Sequence, residues 1–378
     1  MGFIHILVLL LSGTIAYATF TADRGCKTDS ANLWLDMVIV VDTSKHMNNE
    51  KMKLVIKSIT DTFAQDTRIG TNYDDPRSTR VGIVTYNQKA SVVAELNEFN
   101  STRSFNQTVE TLSNFDTDES HLSLGLSKAE EVLTAGRSNG TRSNYPQLII
   151  VYTANQQEPT YVDFLPVTQR LQSKNISTIF INMDVEFYDN PLIVSKSPGP
   201  LYHNYSTYTP EQLQVDAAMV NCFCQTGLTD DSYLIHAGTC LEVSTTKKSW
   251  NAASETCRKT KNGHLATDFE FIALDRIRNT LKNTNAPSDR YHIGLHRANG
   301  SWYWQQPKGQ APMEDKMDVV SAENWMAGFP KSEDTHTGVA VVFRRFGDRP
   351  LLENVDPNDD ENYYICENLA CDTDNYCS

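Results

Sequence analysis

The sequence predicts two domains: an α/β domain built on a mostly parallel sheet, followed by an α+β domain. Three observations lead there. The first half alternates near-continuous apolar runs with helix-period stretches, as strands covered by helices on both faces do. The second half opens on amphipathic helix patterns and continues as short strands and long loops. The cysteines are divided unevenly, with Cys26 alone and the other seven beginning at Cys222. That asymmetry marks a boundary near "NCFC", residues 221–224.

Composition sets the compartment. Phe3 to Leu11 is almost wholly apolar and "AYA" ends at Ala18, so residues 1–18 are expected to be a cleaved secretory signal. The run is too short to span a bilayer, and no later segment has the ~18 uninterrupted apolar residues a membrane helix needs. A secreted, extracellular protein without a membrane span is expected. The 378 residues, 40% hydrophobic, suffice for a real core in each domain. A net charge of −14 argues against nucleic acid as a partner. Eight cysteines in an oxidising compartment read as four disulfides, for which 105 connectivities exist. No Cys-x-x-Cys pair of the zinc type occurs. Six Asn-x-Ser/Thr sequons, at Asn100, Asn106, Asn139, Asn175, Asn204 and Asn299, point to a glycoprotein.

The elements of the first half follow in order. "LDMVIVV" is a buried strand, and a helix from about Asn49 carries Met52, Val55, Ile56, Ile59 and Phe63 on one face. "RVGIVTY" and "SVVAEL" read as a strand pair around "NQK". One helix runs through Phe105, Val109 and Leu112; another shows Leu122, Leu126, Ala129 and Leu133 at helical spacing. "QLIIVYT" is an all-apolar strand, and Tyr161 to Lys174 a helix bent at Pro166. "STIFIN" is read as the last strand and Glu211 to Val220 as a closing helix. Ligands of such sheets bind at the carboxyl ends of the strands, which places Asp42 and the loop after Thr153 on one rim.

These features resemble a von Willebrand factor type A domain, with a Rossmann-like fold, over residues 26–222. In that family Asp-x-Ser-x-Ser, a Thr from a second loop and an Asp from a third hold a magnesium ion. Asp42 and Ser44 match, but His46 takes the second Ser position, Ser120 stands for the Thr and Ala154 for the Asp. Losing a carboxylate removes much of what offsets a dication, so the resemblance implies a vestigial site and no metal cofactor. Asp42 and Ser44 are then expected to cap the following helix.

In the second half, short strands surround Cys240, and Trp250, Ala253 and Cys257 share a helix face. "HLATDFEFIALDRIRNTLKN" reads as a second helix with Phe271, Leu274, Ile277 and Leu281 aligned. The strands "YHIGLHR", "GSWYWQQ", "GVAVVFR" and "NYYICEN" follow. Cys257, "GHLA", "HIGL", "SWYW", "NWMAGFP" and "YYICE" together resemble a C-type lectin domain, over residues 223–370. The resemblance implies that Trp302, Trp304 and Trp325 are core residues. It also implies a Cys257–Cys366 bridge, worth up to ~4–5 kcal/mol for a loop of about 110 residues in the chain-entropy model. Cys224–Cys240, Cys26–Cys222 and a small tail loop closed by Cys371–Cys377, within 371–378, complete the set.

Sugar-binding members of that family hold calcium with Glu-Pro-Asn and Trp-Asn-Asp. The corresponding residues are Phe329, Pro330 and Lys331, then Leu352, Glu353 and Asn354, so only the proline survives. A lysine ammonium facing a dication is repulsive, and calcium-dependent sugar binding is not expected there. No catalytic motif appears. His292 and His296 lie ~13 Å apart along a strand, too far for one ion. The expectation is a non-enzymatic, calcium-independent recognition protein for a glycan or glycoprotein ligand. It is similar to extracellular nematode proteins that combine these two domains and are associated with glycan binding and innate immune defence. The alternative is a structural or adhesive protein using the first domain for protein contacts.

Overall fold

Asp36–Asp42 forms β1, buried at every position, and it explains the architecture of the first half. Met37, Ile39 and Val41 point into one apolar cluster, while Val38 and Val40 point into another. A strand that is apolar on both sides needs helices on both sides. In the computed structural model, α1 (Asn49–Phe63), α2 (Thr102–Val109) and α5 (Pro210–Val220) supply the first cover. The helices α3 (Leu122–Ala135) and α4 (Phe164–Ser173) supply the second. The structure describes residues 25–63, 67–115, 117–154, 164–184, 201–225, 238–259, 263–267, 289–307, 311–314, 322–332, 334–343 and 350–378.

The sheet runs β3-β2-β1-β4-β5-β6, with β2 Arg80–Tyr86, β3 Ala90–Ala94, β4 Gln147–Thr153, β5 Ile176–Asn182 and β6 Leu201–Asn204. All pairs are parallel except the β2–β3 hairpin. Two sequence expectations are corrected here. "STIFIN" is not the last strand, because β6 pairs beyond it in parallel; its four residues have no apolar run to betray it. Asp42 and Ser44 do not cap α1. Asn48 does, its Oδ1 accepting from the Glu50 and Lys51 amides at 3.1 and 2.9 Å.

The other end of β1 is an ionic knot. Buried Asp36 accepts from Arg80 Nε and Nη2 at 2.8 and 2.7 Å, from Arg137 Nε at 3.3 Å and from Arg142 Nε at 3.1 Å. Burial pulls the Arg142 guanidinium down from its usual range, and Asp36 pulls it back up.

The second half centres on β9 (Arg290–Ala298), flanked by β10 (Ser301–Trp304) and β12 (Gly338–Val342). Outward from these lie β11 (Met313–Glu314) and β13 (Leu351–Val355). The last strand, β14 (Tyr363–Leu369), pairs with β9, with β7 (Thr239–Val243) and with β8 (His264–Leu265). "HL" of the expected second helix is thus a strand, fixed by pairing with Cys366 and Glu367. Phe271, Leu274, Ile277 and Leu281 lie outside the described residues, as do residues 1–18 and Tyr161. Trp304 and Trp325 are buried and Trp302 is partly buried against them, in one apolar cluster with Leu295 and Val339. The helix α6 (Trp250–Lys259) packs Trp250, Ala253 and Cys257 onto β8 and β14.

Four disulfides join Cys26 to Cys222, Cys224 to Cys240, Cys257 to Cys366 and Cys371 to Cys377. The tail closed by the last of these packs against the first domain. Tyr376 sits edge-on to Trp34 at 4.9 Å, and Trp34 Nε1 donates to the Asp372 carbonyl at 2.9 Å. Tyr145 and Phe223 complete this aromatic cluster. It lies beside the start of β1, at the opposite end of that strand from Asp42.

Candidate functional site

Two rims hold the residues singled out in the sequence. On the first, the turn after β1 folds back so that Asp42 Oδ1 accepts from the Ser44 amide at 2.8 Å. Its other oxygen, Oδ2, accepts from Ser120 Oγ at 3.0 Å and from the Ala154 amide at 3.3 Å. The structure thus brings together Asp42, Ser44, Ser120 and Ala154, all buried. His46 is not among them. It is exposed, and only its carbonyl is engaged, by Lys51 Nζ at 3.3 Å.

This arrangement does not fit a dication. Among the described residues gathered here Asp42 brings the one carboxylate, and both its oxygens already accept from neutral donors. Ala154 brings only its backbone N–H to Asp42, where an aspartate would also have brought a second negative charge. Ser44 Oγ is the leftover of the pattern, buried without a hydrogen-bond partner. Among the described residues no group of three or more His, Cys, Asp or Glu side chains could hold a metal.

Sequence reasoning passed over the apolar part of this rim. Phe115 is 56% exposed, although its amide is fixed to the Thr43 carbonyl at 2.7 Å. Leu124, in the first turn of α3, is 43% exposed. A large aromatic within the aperiodic, polar "SNFDTDES" was the available signal.

The second rim lies where β12 and β13 leave the lectin-like sheet. Asn354, 1% exposed, accepts from the Lys331 amide at 2.7 Å and donates to the Lys331 and His336 carbonyls at 2.9 and 3.0 Å. Both N–H donors of that amide and its oxygen are engaged in holding the loop. Its neighbour Glu353 is buried and ion-paired with Arg290. Burial pushes the Glu353 carboxyl up, and Arg290 acts in the opposite direction. Phe329 leans partly buried on the tryptophan core, ahead of a cis Phe329–Pro330 bond. Lys331 is exposed, with Nζ 5.5 Å from the Phe329 ring centroid and 3.3 Å from His336 Nε2. An ammonium, a phenyl ring and no free carboxylate do not fit calcium either. They do form a small surface of one cation, one aromatic and one imidazole.

The remaining candidates have local duties. His292 Nε2 lies 3.1 Å from both the Lys248 and Asp360 carbonyls, and burial lowers the imidazole pKa to about 4. His296 packs at 5.3 Å on Trp250. In the acidic loop after β13, Asp356 Oδ1 accepts from the Asn358 and Asp359 amides at 2.9 and 3.3 Å, closing its own turn. Of the sequons, Asn100, Asn175 and Asn299 are exposed and Asn106 half-buried in α2. Asn139 lies in a short turn, and Asn204 ends β6.

Comparison with known proteins identifies the family of each half. The von Willebrand factor type A domain family matches residues 36–215, and the Lectin C-type domain family matches residues 246–368. C-type lectin domain-containing protein 160 of Caenorhabditis elegans is 23% identical over 382 aligned positions, covering 94% of this chain. The chain spans 56% of that relative's length. Among solved structures, mussel byssus proximal thread matrix protein 1, with a zinc-occupied MIDAS motif, is 15% identical with a TM-score of 0.42. The match covers 49% of this chain and 48% of that one. Human lithostathine is 19% identical with a TM-score of 0.30, covering 39% of this chain and 92% of its own. Among the described residues no helix is long and apolar enough to cross a membrane. The chain joins a von Willebrand factor type A domain to a C-type lectin domain, two modules that serve binding.

Proposed function

We propose that this is a secreted, non-enzymatic recognition protein that binds a glycan or glycoprotein through its lectin domain without calcium. Innate immune recognition is the role this reading favours. One observation carries it: the Asn354 amide is consumed by Lys331 and His336, leaving Lys331 and Phe329 at the surface where an ion and its sugar would sit. An ammonium donates hydrogen bonds to hydroxyl or carboxylate oxygens, and an aromatic face covers apolar C–H surface. The two together suit an acidic or hydroxyl-rich glycan. Four disulfides and exposed sequons support passage through the secretory pathway.

A glycan array probed with the full secreted chain, with and without chelator, tests this. Binding is expected to persist in chelator and to weaken in Lys331→Glu. Loss of binding in chelator would overturn the calcium-free reading, and absence of binding to any glycan would overturn the carbohydrate reading.

A second reading has its own support, in exposed Phe115 and Leu124 beside the Asp42 turn. Here the first domain makes protein contacts and the lectin domain is scaffold. Partners recovered with the secreted chain would be lost on Phe115→Ser and kept on Lys331→Glu.

A further inference from the structure

Five of the six sequons lie in the first half; the lectin half has one, Asn299-Gly300-Ser301. That sequon is the tip of the β9–β10 hairpin. Ala298 pairs with Ser301, leaving Asn299 and Gly300 as a two-residue loop with φ values of 50° and 84°. Such a loop requires positive φ at both positions, and Asn-Gly is the preferred pair. Asn299 is exposed, and a Cβ built on Gly300 meets nothing within 4 Å, so the tip stands in open solvent.

The place where this tip stands gives it a role. Two residues before it, the Arg297 amide donates to the Thr337 carbonyl at 2.7 Å, and His296 is opposite Gly338. The hairpin tip therefore neighbours the end of the loop that holds His336 and Thr337. In that loop His336 carries Lys331 Nζ at 3.3 Å, and Lys331 lies over Phe329.

We propose that Asn299 carries an N-linked glycan that stands over the Phe329–Lys331–His336 rim and restricts it to small ligands or chain ends. The proposal concerns access and rests on the reading of that rim as the binding face. An Asn-linked glycan is bulky, hydrated and mobile, so it excludes large partners from surface it does not itself contact.

The test uses the full chain from a eukaryotic secretory host. Glycopeptide mass spectrometry reads occupancy at Asn299. Acylation of Lys331 is then followed with a small acetyl ester and with a bulky polyethylene-glycol ester, with Lys57 on α1 as internal standard. Ser301→Ala removes the sequon while keeping Asn299 in its left-handed turn. Expected is an occupied Asn299 and, in S301A, a several-fold rise in bulky labelling of Lys331 alone, the small reagent being unaffected. Endoglycosidase trimming of the native chain should produce the same rise, independently of how S301A folds. An unoccupied Asn299, or bulky labelling that neither treatment changes, would overturn the proposal. A rise in labelling with no array binding by either protein would leave the shield standing and remove the carbohydrate reading.

Discussion

The two rims reach one outcome by different chemistry. On the first, a buried carboxylate is satisfied by three neutral donors, Ser44 N–H, Ser120 O–H and Ala154 N–H. On the second, a buried amide both donates and accepts, and so closes a loop onto itself through Lys331 and His336. In each case a backbone amide (of Ala154 or Lys331) faces the side chain that the family pattern would offer to a cation. The lesson is that losing one ligand does not leave a hole. Ser44 Oγ excepted, the remaining polar groups stay buried and are paired, and backbone amides take up oxygens that a metal would otherwise have engaged.

The largest loss is expected at Asp42. Asp42→Ala orphans three buried donors at once and is expected to cost about 3–5 kcal/mol, read by chemical denaturation of the first domain. Asp42→Asn keeps an acceptor and should cost clearly less; equal losses would mean that the carboxylate matters by bulk alone.

Acid should then separate the domains. His292 is held neutral when folded, with its pKa lowered to about 4, and burial is the main cause. The unfolded chain takes up this proton first, so the stabilisation is whole above pH ~6.5 and is lost as pH falls toward ~4, by about 3 kcal/mol at the lower end. The buried Nδ1 has no partner to receive that proton. His292→Gln should flatten this part of the lectin domain's pH–stability profile; an unchanged profile would assign the acid sensitivity elsewhere.

Asn354→Asp sharpens the second rim. It keeps the acceptor for the Lys331 amide but removes two donations and sets a carboxyl oxygen against the Lys331 and His336 carbonyls, and should cost about 2–3 kcal/mol. Calcium should not restore that loss, because the Phe329 and Lys331 side chains still offer no oxygen ligand. Recovery in calcium titrations would contradict this. The smallest effect concerns the unaltered protein, whose melting midpoint should not move between chelator, magnesium and calcium, since only binding to the native state raises it. A shift with magnesium, abolished in Asp42→Asn, would reinstate a metal on the first rim.

Much of the fold was legible because it rests on local periodicity. Val38 to Val41 declares a strand covered on both faces, and Leu122, Leu126, Ala129 and Leu133 declare one side of a helix. The strand β6 escaped because an edge strand of four residues needs backbone pairing more than apolar side chains. The helix cap was misassigned for a related reason: Asp, Ser and Asn all cap well, and only the geometry chose Asn48 over Asp42. Phe115 was passed over because exposure is not written in residue type.

Residue type and short-range spacing are enough for the order of elements, the two-domain plan and the chemistry placed at each rim: alanine at 154, lysine at 331, a carboxylate at 42. What the altered rims became depends on contacts between residues distant in the chain. The Ala154 amide meets Asp42 across 112 positions, Lys331 meets Asn354 across 23, and Tyr376 reaches Trp34 from the far end of the chain. Contacts of that range depend on how sheets and loops close in space, and a carboxylate finds its donors only after that closure is complete.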